Sequence, residues 1–307
     1  MAGAGKTHAS DDAALQRTLA RVKAIRSHLD TKARTKRLEG KVAIVTGCNS
    51  LAGIGRATAR LFAHEGVKHL YCSDYADDNL AELKSWLNKL YPDVAVDVIQ
   101  ADAGDEKSVV GLVQRAVRDE GQLDIFFANA GIGPFHPLES TEAEDVKEVL
   151  RINTISCYLA VKHASEAMKR TSASKAQSGG SIVLTASVAG LRSGAGFIDY
   201  SASKAAVISI AQTGAWQLSG TNIRVNAVCP GLIETGMTEL VFETARGRGT
   251  EGRIGQLNPL RRYGVAQEIA NAVIFLSSDE ASYVNGVALP VCGGLSASHP
   301  VAPGKSY

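Results

Sequence analysis

Tyr200 and Lys204 stand four residues apart at the start of a run, Tyr200 to Leu218, that reads as a helix. That spacing puts a phenol and an ammonium on one helical face, one turn apart. A phenol in water keeps its proton until about pH 10, too late for proton exchange at neutrality. A fixed positive charge beside it favours the phenolate and suits it to general acid/base work. Ser187 closes the preceding apolar run, Ser181 to Ala186, and can bring a hydroxyl to the same spot. A bare Tyr-x-x-x-Lys is common surface decoration, so its meaning depends on the elements around it.

Those elements begin with Lys41-Val-Ala-Ile-Val-Thr46, a continuous apolar run of the kind a buried parallel strand requires. It leads into Gly47-Cys-Asn-Ser-Leu-Ala-Gly53-Ile54-Gly55 and then a helical pattern from Arg56 through Ala63. Strand, glycine loop and helix form the context in which main-chain N–H groups and a helix N-terminus hold a pyrophosphate. The next strand, Val67 to Ser73, ends at Asp74. A carboxylate there accepts hydrogen bonds from ribose hydroxyls and repels a 2′-phosphate. No arginine or lysine follows in Tyr75 to Asp78, which favours NAD over NADP.

The alternation continues with a helix Leu80–Leu90, a strand Val94–Ala101 ending at Asp102, a helix Glu106–Asp119 and a strand Leu123–Phe127 before Asn129-Ala-Gly131. Thr141 and Glu144 read as a capping box opening one long helix through Asn153 toward Lys169. After the Tyr200 helix come a strand Ile223–Val228, a helix Gln267–Ser277 and a strand Val287–Val291. Seven strands with interleaved helices imply an α/β fold, a single domain built on one Rossmann-like, doubly wound parallel sheet.

Composition bounds the function. A net charge of +2 over 307 residues gives no electrostatic case for nucleic acid or an anionic membrane as partner. The five cysteines are scattered and never form C-x-x-C, so neither a disulfide framework nor a metal site is expected. No apolar run approaches transmembrane length, and a reducing, cytoplasmic home is the expectation.

Residues 1–40 differ in texture. Gly3 to Thr7 looks like the end of a phosphate-binding loop, but no strand precedes it. Ser10 before Asp11 and Asp12 reads as a helix start, with Leu15, Leu19, Val22, Ile25 and Leu29 at helical spacing behind it. The reading is an appended basic helix packing on its own or a sister subunit, with Thr31 to Gly40 as linker. The chain thus divides into an arm (1–40), a catalytic domain (41–295) and a tail (296–307).

From Gly40 to about Leu295 the chain resembles the short-chain dehydrogenase/reductase family. The marks are Thr46-Gly47 with Gly53-Ile-Gly55, Asp102, Asn129-Ala-Gly131, Asn153, Ser187, Tyr200-x-x-x-Lys204, and Pro230-Gly231 with Thr235. The resemblance implies interconversion of a secondary alcohol and a ketone by hydride transfer. It makes Tyr200 the general acid/base and has Lys204 support it while binding the nicotinamide ribose. It has Ser187 bond the substrate oxygen, and Asn153 hold a water that relays protons from Lys204. Thr235 would bind the carboxamide. Further cofactor contacts are implied for Gly47, Gly53, Ile54, Gly55, Asp74, Asp102, Ala103, Asn129, Ala130, Gly131, Pro230, Gly231 and Ile233. A homodimer or homotetramer built on the Glu142 and Tyr200 helices is implied as well.

Two departures stand out. Gly47 and Gly53 enclose five residues where the family usually has three, and Cys292 stands where aspartate is common. The extra pair either bulges away from the phosphates or reshapes the adenine side. The substrate mouth is expected from Ile132–Leu138, Val188–Asp199 and Ile233–Leu260. Phe135, Leu191, Phe197, Ile198 and Leu232 suit hydrophobic or cyclic ketones, and His136 is a loop histidine within reach of substrate. Arg246, Arg248 and Arg253 are matched by Glu239, Glu243 and Glu251, which reads as a solvated lid rather than an anion reader. The alternatives are a 3-oxoacyl-thioester reductase using NADPH and a catalytically silent dinucleotide-binding regulator.

Overall fold

The computed structural model describes residues 4–172 and 175–298, with side chains from residue 13 onward. The tail beyond Ser298 and the side chains of Gly3 to Thr7 lie outside the described residues. The chain runs α1 (Ala4–Arg26), α2 (His28–Thr31), β1 (Val42–Thr46), α3 (Ile54–His64), β2 (His69–Asp74), α4 (Leu80–Leu90), β3 (Ala95–Gln100), α5 (Glu106–Glu120) and β4 (Ile125–Ala128). It continues α6 (Ala143–Leu150), α7 (Ser156–Met168), β5 (Gly180–Thr185), α8 (Ile198–Gln217) and β6 (Ile223–Pro230). Last come β7 (Ile233–Glu234), α9 (Glu239–Gly247), β8 (Gly264–Val265), α10 (Ala266–Ser277) and β9 (Ala288–Val291).

Seven strands form one parallel sheet in the order β3-β2-β1-β4-β5-β6-β9. The order reverses between β1 and β4, and in such sheets ligands bind at the strand C-termini beside that reversal. Both faces of the sheet are covered, which is why the strands read as apolar runs rather than alternating ones. In β1, Ala43 and Val45 pack with α3 and α10 on one face, while Val42 and Ile44 pack with α5 and α7 on the other. The two-residue strands β7 and β8 pair separately, outside the main sheet.

Three expected boundaries are corrected. The helix before Lys169 starts one residue later than Thr141 suggests. Asp145 Oδ2 accepts the Glu142 amide at 3.0 Å, and the Thr141 hydroxyl donates back to the Pro137 carbonyl at 2.7 Å. That helix is not continuous either, since Arg151–Ile155 forms a π turn between α6 and α7. Helix α1 begins at Ala4, so Ser10 lies inside it instead of capping it.

The arm packs on its own subunit: Val22 and Leu29 are buried, and Leu15, Leu19 and Ile25 are half-buried on the same face. Nor is Thr31–Gly40 a free linker. Leu38 is fully buried, and Arg34 donates to the carbonyls of His64 at 2.8 Å and Ala63 at 3.2 Å. Its anchor is Glu65, which is fully buried and accepts from Arg37 Nη2 at 3.0 Å, from the Thr35 hydroxyl and from both main-chain amides. Burial alone would push this carboxyl up, but the bonds from Arg37 and Thr35 overcome that and hold it at about 2. Its contribution to stability is therefore complete above about pH 4.5 and is lost as pH falls toward 2. Over that window the loss amounts to roughly 2–3 kcal/mol. Thermal midpoints of the wild type are expected to fall more steeply between pH 5 and 2 than those of Glu65→Gln. Parallel curves would show that the anchor carries no such term.

Candidate active site

The glycine loop is shaped by close approach. A Cβ on Gly55 would lie 2.2 Å from the Gly47 carbonyl oxygen, and Gly47 itself has φ +76 with the Asn129 side chain against it. Only glycine fits Gly55, because the first turn of α3 rests directly on the loop. Helix α3 is preceded by Gly53, which offers no side-chain cap, so its leading amides are left for an anionic ligand. Gly53 and Ile54 thus present main chain where a pyrophosphate binds. The residues present fit a dinucleotide.

The enlarged loop is tied to the end of β2 and the start of α4 through Asn49. Asn49 donates its amide to Asp74 Oδ2 at 2.8 Å, and its side-chain oxygen accepts the Asn79 amide at 2.7 Å. Asp74 ends β2 as expected, and its other oxygen takes the Ala76 amide at 3.3 Å. Asp102 Oδ1 accepts the Gly104 amide across the turn that holds Ala103, and Oδ2 pairs with Arg151 at 2.8 Å. Asp102 thereby ties the end of β3 to the π turn.

Thr46, at the end of β1, has a task that its place beside Gly47 does not announce: its hydroxyl accepts the amides of Asn129 and Ala130, each at 3.0 Å. Asn129 Nδ2 returns a bond to the Thr46 carbonyl at 3.0 Å. These bonds set Asn129-Ala-Gly131 beside the glycine loop. Asn153 is fully buried in the π turn: Oδ1 accepts the Ile132 amide at 2.8 Å, and Nδ2 donates to Ile132 O and Ser203 Oγ. Both donor hydrogens of its carboxamide are therefore used within the protein, on Ile132 and Ser203.

Lys204 is 2% exposed and donates Nζ to the Thr185 carbonyl at 2.8 Å. Its ammonium lies 5.6 Å from the centre of the Tyr200 ring. A Cβ on Gly131 would meet Asn153 Oδ1 at 3.0 Å and Lys204 Nζ at 3.4 Å, so these residues converge on one point. The Tyr200 ring lies between Gly133 and Gly196; a Cβ on Gly196 would come within 2.8 Å of it, so the absent side chain there leaves it room. Among the described residues Tyr200 is hydrogen-bonded through its main chain alone, which leaves the phenol available to a substrate. Ser187 stands two residues beyond β5, its Oγ accepting the Ala189 amide at 3.1 Å, and the turn it starts packs on α8 at Lys204.

Pro230 ends β6, Gly231 is pressed against the Cys292 main chain, and Cys292 Sγ accepts the Ser296 amide at 3.4 Å. Ile233 is buried in β7, and Thr235 begins the turn into the lid, its amide donating to Thr238 Oγ1 at 3.1 Å. Met237, within the expected mouth segment Ile233–Leu260 though not singled out there, lies against Gly133, next to the Tyr200 ring. Asp199, likewise not singled out, closes the expected segment Val188–Asp199. Its fully buried carboxylate takes the Tyr200 amide at 2.7 Å and His136 Nδ1 at 2.8 Å. Beside it, Phe135 and Phe197 meet edge to face with centroids 4.5 Å apart, so two mouth loops are joined twice. Leu232 is half-buried and packs against the cluster of Phe242 and Tyr263 behind the lid. Arg246 is paired with Glu234, Glu243 and Glu251, so it is not held ready for an anionic substrate.

Burial pushes the Cys48 thiol well above the usual range, Cys157 up, and Cys229 up to about 12. None of these three thiols is suited to nucleophilic work. Among the described residues no cluster could hold a metal ion, and no helix is long and apolar enough to cross a membrane.

Sequence comparison agrees with this geometry. A family model described as enoyl-(acyl carrier protein) reductase matches residues 47–296. The chain belongs to the short-chain dehydrogenase/reductase family. Among relatives in the family, a 3-oxoacyl-(acyl-carrier-protein) reductase of Thermotoga maritima is 38% identical over 84% of this chain and 99% of its own. (+)-Borneol dehydrogenase 1 of Salvia officinalis is 36% identical over 87% of this chain and 97% of its own. The crystal structure of levodione reductase superposes with a TM-score of 0.77 at 36% identity, covering 85% of this chain and 100% of that one. The matched span begins at Gly47 and runs through the glycine loop, Tyr200, Lys204 and Thr235, while Thr46 and the arm precede it.

Proposed function

We propose that this oxidoreductase interconverts a secondary alcohol and an apolar, cyclic or bulky ketone, using NAD(H). The observation that carries the reading is the convergence of Lys204 and Asn153 at Gly131, with the Lys204 ammonium 5.6 Å from the Tyr200 ring centre, beside a loop shaped for a dinucleotide. Gly47, Gly53, Ile54 and Gly55 hold the pyrophosphate, and Asp74 the adenosine ribose. Asp102 and Ala103 flank the adenine. Asn129 to Gly131, Pro230, Gly231, Ile233 and Thr235 line the nicotinamide end. When bound, the nicotinamide supplies or takes the hydride.

The chain's own residues manage the proton and the charge. In reduction, Tyr200 gives its phenolic proton to the substrate oxygen, and Ser187 donates a hydrogen bond as charge grows there. Lys204 stabilises the phenolate left behind. The π turn at Asn153 frees a main-chain carbonyl to hold a water, through which Lys204 exchanges protons with solvent. The rim supports an apolar substrate: Phe135, Leu138, Ile198, Met237 and Leu240 are all exposed there. Exposed Ile155 and Tyr158, on the π turn and α7, together with Trp216 on α8, support a homodimer or homotetramer, and the buried free thiols suit a reducing cytoplasm.

A 3-oxoacyl-thioester reductase using NADPH is the second reading, favoured by the Thermotoga maritima relative. Asp74 opposes it, since its carboxylate repels a 2′-phosphate. Asp74→Ala is expected to narrow the preference for NADH over NADPH by about tenfold, close to 1.4 kcal/mol. Cofactor titrations of wild type and variant measure this, and unchanged selectivity would move discrimination to the enlarged loop.

A further inference from the structure

The arm, which precedes the residues that the family model matches, sits behind the substrate lid. Val22 is 3% exposed and packs with Phe242, Ile254, Tyr263 and Val265. The rings of Phe242 and Tyr263 meet edge to face, with centroids 4.9 Å apart. One turn beyond Val22, Arg26 Nη2 reaches Glu234 Oε2 at 2.7 Å. Glu234 also binds Arg246 of α9, and its neighbour in the chain is Thr235, at the nicotinamide end.

Helix α9 needs such support. It has nine residues and a single buried side chain, Phe242, and a helix that short is unstable unless tertiary packing holds it. The cluster around Phe242 is completed by Val22 from outside the catalytic core. The arm is itself fixed to the body beyond this point. Asp30 pairs with Arg60 at 2.6 Å, Leu29 is buried, and Arg34 holds the end of α3. An element anchored on α3 therefore grips the lid on its outer face.

We propose that the arm is a strap, in which Val22 and Arg26 are positioning residues that hold residues 236–253 and the Glu234–Thr235 step against the body. The proposal rests on the reading of that segment as the substrate lid. The exposed ion pairs contribute little in water. Val22 is therefore the main grip, and Arg26 sets the register of Glu234.

Hydrogen exchange on the full chain tests this, comparing wild type with Val22→Asp, Arg26→Ala and the conservative Val22→Ile, alongside NADH titration. In Val22→Asp, amides of α1 and of α9 are both expected to exchange at least roughly tenfold faster, with β1, β4 and β5 unchanged. NADH affinity is expected to fall several-fold with them. Arg26→Ala is expected to act more weakly, and Val22→Ile to behave as wild type. If α1 exchanges faster while α9 does not, the arm merely rests on the lid and the strap is overturned. If α1 stays protected in Val22→Asp, Val22 is not the grip, and the strap is overturned in that case too. Should the wild type bind neither NADH nor NADPH, the oxidoreductase reading falls, while exchange still decides the strap.

Discussion

Tyr200→Phe is expected to lose turnover by roughly 10²–10⁴-fold while binding cofactor as the wild type does. The substitution removes one oxygen. The ring keeps its place between Gly133 and Gly196, and the main-chain bonds to Asp199 and Ser203 are untouched. Among the described residues no hydrogen bond is lost with the hydroxyl, so stability should not move. Steady-state rates with a responsive ketone, cofactor titration and a thermal midpoint separate these effects. Near-normal turnover would remove Tyr200 from the chemistry.

Lys204→Met is expected to cost as much turnover and, unlike the tyrosine change, to weaken cofactor binding. The ammonium is buried, lies 5.6 Å from the Tyr200 ring centre and faces Gly131, where the ribose is proposed to lie. Methionine fills much of the same volume, so the variant tests the charge and its hydrogen bonds more than the packing. It leaves the Thr185 carbonyl without its donor, and an unsatisfied buried group costs about 1–3 kcal/mol of stability. Slow turnover with unchanged cofactor affinity would restrict Lys204 to assisting Tyr200. Unchanged turnover would contradict the assignment.

The strands and most helices were legible because apolar runs and helical periodicity report burial directly; α4 falls on Leu80–Leu90, as its periodicity predicts. The site was legible because glycines, Asp74, Tyr200 and Lys204 occur at fixed intervals that local geometry demands. What stayed hidden lacks a local signal. The π turn at Asn153 widens the helix without breaking its apolar pattern, and Thr141 resembles a cap one residue too early. The segment around Thr35 and Arg37 is polar and reads as linker, because nothing in the sequence tells that Glu65 is buried to receive it. His136 and Asp199 are 63 positions apart, and only the fold brings them together. Met237 meets the Tyr200 neighbourhood through a lid whose path no periodicity describes.

The most direct test of the central claim is ketone-dependent oxidation of NADH by the wild-type protein, run beside NADPH over a panel of cyclic and bulky apolar ketones. The account predicts turnover with NADH that exceeds NADPH at equal concentration, and loss of that turnover in Tyr200→Phe. Turnover confined to NADPH and acyl thioesters would contradict the assignment of cofactor and substrate. Tight NADH binding with no turnover on any ketone or alcohol would contradict the catalytic reading itself.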